Sequence, residues 1–64
     1  MKAMKGRDVL KAFVAAGWII SRQNGSHKQL ENDGKHYSFQ FAAHEEIGPK
    51  MVSRICKKTG LTIA

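Results

Sequence analysis

Apolar and polar positions alternate along this chain in two rhythms, one of about 3.6 residues and one of 2. Between Arg7 and Ala16 the spacing is helical. Val9, Leu10, Phe13 and Val14 form one apolar stripe, with Arg7, Asp8 and Lys11 off it. Asp8 near the start suits the positive end of a helix dipole. Gly17 stands where a left-handed C′ residue would stop the helix. The stretch Trp18 to Gln23 is rich in β-formers. Asn24-Gly25 is a two-residue hairpin signal, since both turn positions need positive φ, and "SHKQLEN" follows as a second strand. Asp33-Gly34 repeats the signal, and "KHYSFQF" alternates cleanly. Tyr37, Phe39 and Phe41 fall on one face and His36, Ser38 and Gln40 on the other. Residues 42–47 read as a loop, and residues 1–6 as a frayed basic terminus. Pro49 suits a first helical position. Met51, Val52, Ile55, Cys56 and Thr59 make a second apolar stripe, ended by Gly60 with Leu61 as its hydrophobic closure. The predicted fold is α+β in the order α-β-β-β-α. A three-stranded antiparallel meander carries both helices on one face and leaves the other to solvent.

The pattern also fixes which residues share a face. With Asp33-Gly34 as the loop, Glu31 faces His36, Leu30 faces Tyr37, Lys28 faces Phe39 and His27 faces Gln40. Leu30, Tyr37 and Phe39 then share the core side, and His27, Gln29, Glu31, His36, Ser38 and Gln40 the open side. A one-residue slip would bury the polar set, so this register is well specified. The same reasoning at Asn24-Gly25 puts Arg22 opposite His27, but it also sends Trp18 and Ile20 to the open face. A bulge in the first strand would return them to the core.

Size and charge narrow the function. At 64 residues one domain is expected, burying roughly 60% of the surface its unfolded chain would expose. Such a core is thin, so shallow surface chemistry on a large substrate fits better than an enclosed small-molecule pocket. Eleven Lys and Arg against five Asp and Glu give a net charge of +6, which favours a polyanionic partner. The single cysteine, Cys56, excludes an internal disulfide and reads as an inert buried thiol. No apolar run is long enough for a signal peptide or a membrane span, which leads to the expectation of a soluble cytoplasmic protein.

Position leaves two readings of His27: a solvent-facing strand residue, or a proton-transfer group, since imidazole titrates near neutrality. Lys50, Arg54, Lys57 and Lys58 fall at i, i+4, i+7 and i+8, a basic stripe beside the apolar stripe of the second helix. Such a stripe contacts phosphates or is a solvated helix face. Lys28, beside His27, tilts to the core side, where its stem lies on apolar surface and its amine reaches the edge. His27, His36 and His44 lack metal-ligand spacing, and no metal or cofactor is expected. His36 opposite Glu31 reads as a surface cross-strand pair.

Taken together, "AAGW" (15–18), "ISRQNGSHKQL" (20–30), His44 and "IGPKMVSRICKKTGLT" (47–62) resemble the HicA family of toxin–antitoxin mRNA interferases. The most specific piece is Gly25-Ser26-His27 ahead of a strand, and the likeness covers nearly the whole chain. The opening Gly48-Pro49-Lys50-Met51 of the last helix and Ala42-Ala43-His44 depart from the pattern of many members. The resemblance implies a fold like a double-stranded-RNA-binding domain, spanning 1–64 as one interferase domain. It implies metal-independent RNA cleavage with His27 as the catalytic histidine, and a HicB-type antitoxin as protein partner. On this reading Asn24 and Gly25 shape the turn, and Arg22, Ser26, Lys28, Lys50, Arg54 and Lys57 contact RNA. The toxin alone is expected to be a monomer. The alternative is a non-catalytic RNA-binding module of the same fold.

Overall fold

The computed structural model describes residues 2–63. Its elements are β1 (Met4–Lys5), α1 (Gly6–Ala15), β2 (Ile19–Asn24), β3 (His27–Asn32), β4 (Lys35–Phe39), β5 (Glu46–Ile47) and α2 (Pro49–Thr59). Strands β2-β3-β4 form the antiparallel meander, and β1 and β5 pair as a separate two-stranded ribbon. The fold is therefore the expected α+β layout with a small addition. No helix among the described residues is long and apolar enough to cross a membrane.

The addition corrects the reading of both 42–47 and the N-terminus. Residues 42–47 are not simply a loop, and residues 4–6 are not frayed; Met1 of that stretch lies outside the described residues. Met4 pairs with Ile47 and Lys5 with Glu46. The Gly6 and Arg7 amides donate to the carbonyls of Glu45 (2.8 Å) and Ala43 (3.0 Å). These are orphan donors of the first helical turn, which a helix must satisfy from outside itself. Lys5, the N-cap, supplies no side-chain cap, so the chain at 43–45 takes that role. The turn is closed in its own right, Glu45 N donating to Ala42 O and Ala42 N to a Glu45 carboxylate oxygen, both at 3.1 Å.

Helix α1 ends as its sequence suggests. Gly17 has φ of +97°. The Trp18 amide donates to Phe13 O and the Gly17 amide to Val14 O, both at 3.0 Å, which is the paired bonding of a Schellman motif. Trp18 closes it edge-on to Phe13, with ring centroids 5.2 Å apart. Helix α2 starts with Pro49 at its first turn and ends at Gly60, which is left-handed at φ +76°. There the buried Thr59 hydroxyl donates to Ile55 O (2.7 Å) and accepts from Leu61 N (3.2 Å), so a polar group in the core is fully engaged.

The core joins one side of the meander to both helices: Val9, Phe13, Trp18, Leu30, Phe39, Ile47, Val52, Ile55 and Leu61. Phe13 stacks on Tyr37 at 5.6 Å and meets Phe39 edge-on at 6.2 Å. The predicted stripe of α1 is corrected at one position. Val9 and Phe13 are fully buried and Leu10 is half-buried, but Val14 is 54% exposed, on the flank of the helix. In α2 the stripe holds at Val52, Ile55 and Thr59, with Cys56 half-buried and Met51 at the margin.

Two consequences can be measured. A Cβ on Gly6 would overlap the Ala42 carbonyl oxygen, which is backbone and unable to swing aside. Gly6→Ala should therefore cost about 1–3 kcal/mol, the usual range for overpacking, and lower the melting temperature accordingly. An unchanged melting curve would contradict this packing. Second, burial raises the Tyr37 phenol above its ordinary pKa of 10.0. The unfolded chain then loses this proton first. The stability contributed by the neutral phenol is complete below about pH 10 and is lost as pH rises through the folded value. Urea unfolding at pH 9 and pH 11 should show a larger alkaline loss for the wild type than for Tyr37→Phe.

Candidate functional site

The Asp33-Gly34 turn pairs β3 with β4 as the sequence predicts. Asp33 and Gly34 both have positive φ (50° and 83°), the type I′ signature. Asn32 faces Lys35, Glu31 faces His36, Leu30 faces Tyr37, Gln29 faces Ser38 and Lys28 faces Phe39. The open side is linked by its own polar contacts. Ser38 Oγ donates to Gln29 Oε1 at 3.0 Å, and His36 Nδ1 lies 3.5 Å from a Glu31 carboxylate oxygen. The ladder stops at Lys28–Phe39, so the expected His27–Gln40 pair is not made.

The first hairpin differs from expectation. Asn24 pairs with His27, Gln23 with Lys28 and Arg22 with Gln29. The loop residues are Gly25 and Ser26, not Asn24 and Gly25, and Arg22 does not face His27. Gly25 has φ of +64°, while neither Asn24 nor Ser26 has positive φ. A two-residue hairpin with positive φ only at its first loop position is type II′, which asks for glycine there and leaves Asn24 in the strand.

The expected bulge is present. Register shifts between Ile20 and Arg22, leaving Ser21 as the extra residue. Its hydroxyl donates to Gln29 O at 3.2 Å, holding the irregularity to β3. The bulge keeps Ile20 opposite Leu30, on the core side, while Arg22 and Asn24 fall opposite Gln29 and His27 on the open side. Trp18 is buried as the bulge required. Ile20 remains 42% exposed and Ile19, opposite Glu31, 62% exposed, because β2 is an edge strand.

A shallow concavity of about 140 Å³ results at the turn end of the sheet. Arg22, Asn24, His27, Gln29, Ser38 and Gln40 line it, together with Lys28 and Phe39. His27 is exposed there, and Lys28 is half-buried on the core side as predicted. An imidazole and a guanidinium thus share one wet, shallow surface, where the cation can hold an anion beside a proton-transfer group. Gln29, Ser38 and Gln40 were legible as open-face residues, but only the fold groups them with Arg22 around His27.

The remaining predicted residues stand elsewhere. Ser26 is the exposed second loop residue. Lys50, Arg54 and Lys57 are exposed on α2 and do not line the His27 concavity. Lys58 lies over the Tyr37 ring, 5.9 Å from its centroid, and borders a second concavity along β4 with His36, Ser38 and Gln40. Among the described residues no group of three or more His, Cys, Asp or Glu is gathered as for a metal ion.

A model of the family described as "HicA toxin of bacterial toxin-antitoxin" matches residues 6–61. Comparison with curated proteins and with solved structures gives no match. The matched span includes both helices and the whole meander. The chain belongs to the HicA toxin family.

The turn assignment is testable without reference to activity. Gly25→Ala places a Cβ on a positive-φ residue and should cost about 1–2 kcal/mol, whereas D-alanine at the same position in a synthetic chain should restore the melting temperature. Equal melting of the L- and D-alanine proteins would contradict the type II′ turn.

Proposed function

We propose that this member of the HicA toxin family is a metal-independent endoribonuclease. It cleaves mRNA and so arrests translation, with His27 as general acid and base. The observation that carries the reading is the shared concavity of His27 and Arg22, exposed at the end of the open sheet face.

RNA supplies its own nucleophile. The 2′-oxygen attacks the adjacent phosphorus and its proton passes to His27. The bond from phosphorus to the 5′-oxygen breaks, and that oxygen leaves with a proton from the imidazolium or from water. The products are a 2′,3′-cyclic phosphate and a 5′-hydroxyl. One positioned acid–base group contributes roughly 10²–10⁴ in rate. Arg22 holds the non-bridging oxygens as charge builds on them. Lys28 and Ser26 contact the flanking phosphates; Gly25 turns the chain, and Asn24, paired with His27, closes the hairpin. Lys50, Arg54 and Lys57 form a separate basic track on α2. They guide the chain electrostatically rather than touch the reacting phosphate.

The family also supports pairing with a HicB-type antitoxin, which would silence the toxin by covering His27. The toxin acts in the cytoplasm, and as a monomer when free of its antitoxin. A non-catalytic RNA-binding module would present the same surface, and catalysis separates the two. In EDTA, the wild type should cut an end-labelled single-stranded RNA, and His27→Ala should lose about 10²–10⁴ in rate while keeping RNA affinity. RNA methylated at the 2′-oxygens, and DNA, should resist. Equal cutting by wild type and His27→Ala, or efficient cutting of DNA, would overturn the proposal. RNA binding without any cleavage would favour the module.

A further inference from the structure

We propose that the apolar groove between α1 and the end of the β3–β4 ladder remote from the Asp33-Gly34 turn seats an unstacked nucleobase of the RNA, adjacent to the phosphate held at His27. The inference deepens the RNA-cleaving reading and rests on it.

The groove has a volume of about 560 Å³, within the range of about 300–1,000 Å³ typical of single-ligand sites. Leu10 and Val14 of α1 form one wall and Phe39 and Phe41 the other. Val14 is 54% exposed there, an aliphatic side chain left in water on a helix whose other large apolar residues are buried or half-buried. Phe41 is half-exposed and edge-on to the buried Phe39, with centroids 5.5 Å apart, so one aromatic ring is held firmly while still reachable.

Three cations, Arg7, Lys11 and Lys28, also line the groove, and no carboxylate does. Apolar walls with a wholly cationic border suit a base, flat and uncharged, carried on a phosphate backbone. Single-stranded RNA is commonly read this way, with bases splayed out against apolar and aromatic side chains.

The groove adjoins the His27 concavity. Lys28 and Phe39 line both. They are the last pair of the β3–β4 ladder, so the apolar side and the open side of the sheet meet at that point. A strand with its phosphate beside His27 and Arg22 can turn over this end, its adjacent base entering the groove and Lys28 touching the phosphate that follows. The cationic border and the adjacency to the His27 concavity together favour a base carried on a phosphate backbone as the occupant.

The test is a binding titration at low salt with a short single-stranded RNA methylated at its 2′-oxygens, so that affinity is read without cleavage. Wild type and Val14→Lys are compared on this RNA and on a matched strand with abasic sites beside the central phosphate. Val14 is exposed enough for lysine to be tolerated, and equal melting temperatures would verify this. The added cation favours phosphate, so electrostatics alone predicts tighter binding by the variant. The base-seat proposal predicts the opposite: about tenfold weaker binding of the base-bearing strand, with the abasic strand unweakened.

If Val14→Lys binds the base-bearing strand as tightly as wild type, the base seat is wrong, and wild-type cleavage of unmethylated RNA would still leave the nuclease reading intact. If Val14→Lys keeps RNA affinity but escapes neutralisation by a HicB-type antitoxin, the groove serves a protein partner and the proposal is overturned. If wild type binds no RNA, both readings fall together.

Discussion

The Phe13 ring is the contact on which the rest of this small fold depends. It stacks on Tyr37 and meets Trp18 and Phe39 edge-on, while its carbonyl accepts the Trp18 amide beyond the helix end. One residue thus anchors α1 to β4, stops α1, and aims the chain into β2. Three aromatic pairs at about 0.5–1.5 kcal/mol each beyond their burial are comparable with the roughly 3–5 kcal/mol that a core of this size supplies. The geometry needs Gly17 at φ +97°, since a β-carbon there would strain the reversal that brings Trp18 back to Phe13.

Packing both helices on one side of three strands has a cost in cover and a benefit in access. The chain measures 27 × 24 × 16 Å, and sheets pack their neighbours at about 10 Å, so the short dimension holds little beyond a sheet and one helix layer. The opposite sheet face stays wet, and its side chains are free of packing duties. The Ser21 bulge reconciles the two faces along β2. It keeps Ile20 on the Leu30 side and delivers Arg22 and Asn24 to the His27 side. A regular strand could not do both, because faces alternate strictly with a period of 2. The irregularity has a hydrogen bond of its own, from Ser21 to Gln29 O.

Much of this was legible in the sequence where local and tertiary signals agree. Asp33-Gly34 set the β3–β4 register residue by residue, because the turn chemistry and the alternation of "KHYSFQF" demand the same pairing. Gly17 and Gly60 marked both helix ends. Asn24-Gly25-Ser26 was different: it contains two overlapping two-residue turns, Asn-Gly for type I′ and Gly-Ser for type II′. Local preference favours the first, but the pairing of Asn24 with His27 is that of the second. The β1–β5 ribbon was invisible because two-residue strands carry no period, and its partners are some forty positions apart. The exposure of Val14 was hidden for a related reason. The helical stripe gives a direction, and only the placement of the sheet decides where cover ends.

The His27 concavity sits where the β3–β4 ladder runs out, and a thin fold gives a physical reason for that location. In the middle of the sheet the two faces are separated by hydrogen-bonded backbone, so a ligand on the open side cannot reach the apolar side. Past Lys28–Phe39 that barrier ends. A polar concavity and an apolar groove then become neighbours without any enclosed pocket. Phe39 bridges them because its ring is needed by Phe13 within and by Phe41 at the groove. Lys28 bridges them because it is half-buried opposite Phe39 and lines both surfaces. A fold this thin cannot build walls around a ligand, but at the end of a ladder it offers two kinds of surface side by side.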